Sequence, residues 1–326
     1  MNRIPLENIG FYTLSDSRCK NASASSPLMR GEIVLSDACN FNCPYCRGQR
    51  PDLKKNLSYN EAVYIVNLLA DQGLVNIRLS GGEPTCWKNL TSLVALAKSR
   101  NIKRIAVSTN GSAPLSLYQE LISAGVNDFS ISLDACCSSF SDKMSGTTGH
   151  FNQIVNNISA ISKLTYTTVG IVVTQDSLPQ LQNTISFADS LGVSDIRIIS
   201  AAQYNKVLSV VSKTAKELVD KHRILNYRIS NALNGINVRG IEESDSNRCW
   251  IGLDDVAVAG DYHYPCIIYL REQGDPIGKL GPDFRQDREN WVKNHNTQED
   301  PICKKNCLDC IVQYNRDYKN FHQIKE

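Results

Sequence analysis

The chain has 326 residues, 42% of them hydrophobic and 21% charged, with a formal net charge of +2. That balance shows no basic stripe and leaves nothing to argue for a nucleic-acid partner. No run approaches the ~18 apolar residues of a membrane span, and residues 1–30 hold no apolar signal segment, so a cytoplasmic chain with one large domain and a smaller one is expected.

Residues 1–30 read as an N-terminal extension, and GEIVLS (31–36) is the first strand-like run. SYNEAVYIVNLLADQG (58–73) follows as a helix: Ser58 and Glu61 have capping-box spacing, Ala62, Val66 and Leu69 share a face, and Gly73 ends it. VNIRLS (75–80) precedes a helix reaching about Lys98, and RIAVS (104–108) precedes a helix opened by Pro114. DFSISL (128–133) precedes FNQIVNNISAISKL, VGIVVT (169–174) precedes LPQLQNTISFADSLG, and DIRIIS (195–200) comes last. Six such repeats demand a parallel sheet, with apolar strands covered on both faces. The Cys-rich run after the first strand, GGEPT (81–85), STNG (108–111), SLDACC (132–137) and SAAQ (200–203) all follow strand ends. Chemistry collects at the carboxyl ends of parallel strands. Five strands feeding one site suit a barrel mouth, so the expected fold is α/β, a partial (β/α)6 TIM-like barrel over residues 31–205. Residues 206–248 form a connection beginning with a helix over 206–225. Residues 249–326 form a small Cys-rich extension of hairpins and helix, turning at Gly260-Asp261 and at Gly274-Asp275-Pro276.

The 12 cysteines carry the chemistry. A chain this long has no need of a disulfide framework to replace a core. Cys39, Cys43 and Cys46 stand in the run CNFNCPYC. Three thiolates at this spacing ligate three irons of a 4Fe–4S cluster and leave the fourth iron open to a substrate or cofactor. Structural zinc favours paired C-x2-C units, a pattern this run lacks.

CNFNCPYC followed by SGGEP resembles the radical S-adenosylmethionine superfamily over roughly residues 30–205. The resemblance implies S-adenosylmethionine chelated at the open iron and reductively cleaved to a 5′-deoxyadenosyl radical that abstracts hydrogen from substrate. It implies roles for particular residues. Tyr45 lies beside adenine and Phe41 packs under the loop. Gly81 and Gly82 admit the methionyl group, Glu83 accepts from its ammonium and Pro84 stiffens the turn. Ser108, Thr109 and Asn110 stand at the mouth, and Ser132 and Asp134 match ribose or carboxylate contacts. IRLSGGEPT, STNG and ISLDA are nearest to the molybdenum-cofactor GTP cyclases and to peptide- and sugar-modifying members. Arg78 and Thr109 match substrate positions of the GTP cyclases, but Glu32 and Val169 stand where those have basic residues. GTP cyclase activity is therefore not expected, and Arg78 is kept as an anion contact to substrate.

Cys249, Cys266, Cys307 and Cys310 resemble the twitch, or shortened SPASM, extension, which implies a second, auxiliary 4Fe–4S cluster. Cys303 is a spare or a substitute member, and zinc remains the alternative occupant. Cys86, Cys136 and Cys137 follow strand ends; they are either hydrogen-atom donors to a substrate radical or small hydrophobes. Asp134, Lys143, His150 and Tyr204 are candidates for proton transfer. The expected function is hydrogen abstraction from a sugar, aminocyclitol or nucleotide derivative, with a flavodoxin- or ferredoxin-type electron donor. About 30 residues before the first strand are too few for a leader-binding domain, which makes peptide maturation second. A non-catalytic iron–sulfur or zinc scaffold is the reading from another class.

Overall fold

The structure, a computed structural model, describes residues 16–47, 56–201, 211 and 213–324. Tyr204 and most of the first half of the helix expected over 206–225 lie outside the described residues.

All six expected strands form: β1 (Arg30–Val34), β2 (Asn76–Ser80), β3 (Arg104–Thr109), β4 (Asp128–Ser132), β5 (Tyr166–Val173) and β6 (Asp195–Ser200). They pair in parallel, each beside the next in sequence. Helices between them cover the outer face, where Ile77, Leu79, Val107 and Ile131 pack with Leu69, Leu93 and Ile158 in one core. The helix Tyr59–Asp71 begins with the expected reciprocal capping box of Ser58 and Glu61.

The inner face differs from the expectation of strands apolar on both sides. Glu32, Arg78, Ser80, Ser108, Ser130 and Arg197 point into the curl of the sheet and line a cavity there. The period of two along each strand places them opposite the apolar set.

The sheet does not end at the barrel. β7 (Asp255–Ala259) adds in parallel to the free side of β1, and β8 (Tyr262–Tyr264) and β9 (Gly278–Lys279) follow antiparallel. The order is β6-β5-β4-β3-β2-β1-β7-β8-β9, an open sheet of nine strands among the described residues. The turn between β7 and β8 falls at Gly260, φ +54°, as expected. The second expected hairpin is half wrong: Ile267–Arg271 is a short helix, opened by Cys266, whose Sγ accepts from the Tyr269 N–H. The helix expected to reach 225 breaks at His222, an extended residue between Lys216–Lys221 and Arg223–Leu233. Among the described residues no helix is long and apolar enough to cross a membrane.

Arg288, on the helix Phe284–Asn294, fastens the extension to the sheet. Its guanidinium is 1% exposed. It donates to the carbonyls of Gly252 (2.8 Å), Tyr264 (2.9 Å) and Pro265 (3.2 Å), and to that of Asp255. A buried cation is tolerated there because carbonyl oxygens replace its water. Arg288→Leu would leave these acceptors without their donor, and a loss of about 3 kcal/mol or more in urea unfolding is expected.

Candidate active site

Cys39, Cys43 and Cys46 lie on an irregular loop that leaves the carboxyl end of β1, all three as free thiols. The loop's first residues are held by the turn after β2. The Gly82 N–H donates to Ser36 O and the Glu83 N–H to Ala38 O, both at 2.8 Å. A Cβ on Gly82 would run into the Ala38 carbonyl, and Gly81 has φ +148°, a region that disfavours other residues. The two glycines therefore let one loop's backbone lie against the other's.

Glu83 is the buried centre of this packing, 1% exposed. Its Oε1 accepts from Thr85 N (3.0 Å), Thr85 Oγ1 (2.7 Å) and Thr109 Oγ1 (2.7 Å), and Oε2 accepts from Asn110 N (2.7 Å). Burial pushes its carboxyl above the usual range while these donors pull it back. Asn110 then reaches the Cys loop: its Nδ2 donates to Asn40 Oδ1 at 2.8 Å, and Asn40 Nδ2 donates to Ser112 Oγ at 2.9 Å.

The far side of the loop rests on the segment after β4. The Asn42 N–H donates to Ser145 O at 2.9 Å. A Cβ on Gly146 would meet the Asn42 carbonyl. Phe41 packs against His150 with ring centroids 5.1 Å apart. Tyr45 OH donates to Asp134, which also accepts from the Val172 N–H at 2.6 Å. Burial pushes Asp134 up to about 6, against the pull of both hydrogen bonds, and pushes the Cys43 thiol up to about 11. Asn40, Asn42, Ser145 and Gly146 were not singled out in the sequence. The signal for Asn40 and Asn42 was their place inside the Cys run; nothing local marked the other two.

A cavity of about 350 Å³ brings together Cys39, Cys43, Cys46, Tyr45, Gly81 and Gly82. Ser108, Thr109, Asn110, Ser132, Asp134 and Arg78 also line it. Cys86, Cys136 and Cys137 do not. Cys86 ends the turn after Glu83, Cys136 lies 4.0 Å from Gln180 Oε1, and Cys137 faces Ser139. Lys143 pairs with Asp176 at 2.8 Å, both well exposed, away from the cavity. Six arginines the strand pattern left dispersed meet in its wall: Arg30, Arg47, Arg78, Arg197, Arg239 and Arg271. Val169 faces the outer core. Its neighbour Gly170 would place a Cβ 3.2 Å from Arg197 Nη2, so the fifth strand supplies room and the sixth supplies the cation.

Gly82→Ala should displace the Cys loop and lower the iron it takes up on anaerobic reconstitution. Gly281→Ala, where an added Cβ meets nothing within 4 Å, should leave iron content unchanged. Asp134, with its native pKa raised, binds a proton that the unfolded chain has released, so its contribution to stability falls as pH rises from about 4 to about 6. Asp134→Asn should remove that slope from urea unfolding measured across the same range.

Residues 33–188 match the model of the Radical SAM superfamily. A probable GTP 3′,8-cyclase of Sulfurisphaera tokodaii is 24% identical over 267 residues, covering 77% of this chain and 85% of that protein. The GTP 3′,8-cyclase of Vibrio vulnificus is 32% identical over 132 residues, 39% of each. The fold is shared with anSMEcpe with bound AdoMet, at TM-score 0.59 and 14% identity over 90% of this chain and 97% of that one. It is shared with SuiB of Streptococcus suis bound to precursor peptide SuiA, at TM-score 0.57 and 16% identity over 88% and 67%. With three free thiols, the SGGEP turn packed under their loop and the matched region running from β1 to the helix after β5, the chain is an enzyme with a radical SAM domain over residues 33–188.

Proposed function

We propose that the chain takes a hydrogen atom from a small polar substrate bearing an anionic group, a sugar, aminocyclitol or nucleotide derivative. The observation that carries this is a single cavity walled on one side by Cys39, Cys43 and Cys46 and elsewhere by arginines. The thiols fit a 4Fe–4S cluster: they are unpaired by disulfides, they share one braced loop, and they face the cavity. The bound cluster and S-adenosylmethionine supply reductive cleavage of the sulfonium and the radical that abstracts hydrogen. The protein's part is binding and orientation. Tyr45, held by Asp134, would flank the adenine, and Ser108 and Ser132 would offer hydroxyls at the strand ends. Glu83, expected to accept from an ammonium, is buried outside the cavity lining, and its part is to fix Asn110, which does line it.

The arginines favour an anion. Burial lowers Arg78 to about 10, and repulsion from Arg197 and Arg30 adds to this against the pull of Glu32 and Asp128. Arg47 falls to about 9 through burial and repulsion from Arg239 and Arg271, even with Glu272 paired to it. A phosphate or carboxylate would relieve both groups and accept paired hydrogen bonds. The GTP 3′,8-cyclase relatives are named for a nucleotide of this charge class. Peptide maturation is the second reading; the likeness to SuiB is one of fold, and the cationic walls favour a compact anion.

We also propose a twitch-like extension over residues 249–326 with an auxiliary 4Fe–4S cluster on Cys249, Cys266, Cys307 and Cys310. Burial and the proximity of Cys249, Cys303, Cys266 and Cys310 push the Cys307 thiol far up, which marks a shared thiol-rich interior. A single zinc would hold its thiolates about 3.8 Å apart, given bonds of about 2.3 Å at tetrahedral angles. Among the described residues no three of these sulfurs lie within 4.8 Å of one another. That spread suits a cubane, whose ligands sit on different irons. Cys310 also lines the cavity at the strand ends, which would set this cluster beside the substrate.

Anaerobic reconstitution followed by dithionite and S-adenosylmethionine should yield 5′-deoxyadenosine, with about eight irons per chain. The triple change of Cys39, Cys43 and Cys46 to Ala should abolish the product. Wild-type protein that carried iron yet made none would overturn the reading and restore the non-catalytic scaffold.

A further inference from the structure

His295, Asp300 and Cys303 meet at the turn between the helices Phe284–Asn294 and Pro301–Asn306, outside the cavity at the strand ends. Their ligand atoms all lie within 4.8 Å of one another, and no other His, Cys, Asp or Glu trio does so among the described residues. Cys303 Sγ is 3.7 Å from His295 Nε2, and that same nitrogen is 3.5 Å from Asp300 Oδ2. A Cys–His–Asp proton relay uses the two ring nitrogens in series, with the carboxylate on the far one. Here thiol and carboxylate converge on one nitrogen, so all three atoms face a common point. Around a tetrahedral zinc, bonds of about 2.3 Å to sulfur and 2.0–2.1 Å to nitrogen or oxygen put S and N about 3.6 Å apart and N and O about 3.4 Å apart. The two separations from the nitrogen match, and the sulfur and carboxylate oxygen lie within 4.8 Å of each other.

The surroundings fix the ligands. Trp291 stacks on the His295 ring at 4.1 Å and 16°, and Tyr269 meets its edge at 6.0 Å and 90°. Tyr269 OH donates to Asp300 Oδ2 at 2.8 Å. The N–H groups of Ile302 and Cys303 donate to Asp300 Oδ1 at 2.8 and 2.9 Å. Such partners orient a carboxylate ligand.

We infer that His295, Asp300 and Cys303 form a site for a zinc-class divalent ion, distinct from the cluster proposed on Cys249, Cys266, Cys307 and Cys310. One thiolate, one imidazole and one carboxylate oxygen suit zinc rather than magnesium or calcium, and water takes the fourth position. Binding exchanges the Cys303 thiol proton for the ion. The ion would close the turn at 295–303 and so brace the short helix that delivers Cys307. Cys303 also neighbours Cys249 and Cys266, so iron competes for it, and the experiment must separate the two.

Full-length protein, reconstituted anaerobically with iron and sulfide, is given Zn²⁺ or Co²⁺ and freed of excess metal. The expected result is about one zinc per chain beyond the iron, with a one-sulfur, otherwise nitrogen and oxygen shell in zinc-edge X-ray absorption. Cobalt should show a thiolate charge-transfer band. His295→Gln and Cys303→Ser should each lose the zinc and that band while keeping the iron. Failure of wild type to retain zinc, a four-sulfur shell, or zinc retained in full by His295→Gln would each overturn the site. Loss of about four irons from Cys303→Ser would do the same, by placing this cysteine in a cluster.

Discussion

One buried carboxylate organises the mouth of this barrel. Stripping Glu83 of water carries a large desolvation cost, and the structure offsets it with four donors drawn from the turn after β2 and the end of β3. Those donors are fixed only if the ends of both strands are correctly placed. Asn110, held by Glu83 through its backbone, extends the constraint to Asn40 inside the Cys loop. The backbone of Gly82 and Glu83 meanwhile grips Ser36 and Ala38. The loop that presents Cys39, Cys43 and Cys46 is therefore shaped by protein contacts before any metal arrives, which is the condition for holding an open coordination position.

The second constraint is continuity of the sheet. β7 pairs with β1 along its whole length, Arg30 on β1 pairs with Asp255 on β7, and Arg288 collects the carbonyls around them. The C-terminal segment thus shares a wall with the barrel. This is why Arg239, Arg271, Leu308 and Cys310, far along the chain, line the same cavity as residues at the strand ends.

What was legible in the sequence was local. The capping box at Ser58, the turn at Gly260 and the run of β/α units each rest on residues a few positions apart. The Cys run and SGGEP were legible because their spacing is itself the chemistry. What was missed depended on distant chain. CIIYL reads as a strand by its branched residues, yet Cys266 caps a helix there and the segment packs on β7 and β8. The docking of β7 on β1 has no sequence signal, since a parallel edge is completed by a strand more than 200 residues away. The polar inner face was visible in principle, in the alternation of Arg78 and Ser80 with Ile77 and Leu79.

The polar inner face also explains why this site is poised for ligands. Arg78 and Arg197 repel one another where water is scarce, and Arg47, Arg239 and Arg271 do so nearer the loop. The Cys39 and Cys43 thiols are held protonated by burial. Each strain is relieved by binding: metal displaces thiol protons, and an anion shields guanidinium from guanidinium. Groups that bind the folded chain and not the unfolded one raise its stability by mass action. The ligand-free state should then be the weakest form of the fold, although Asp255, Glu272 and Glu32 already pair with Arg30, Arg47 and Arg271.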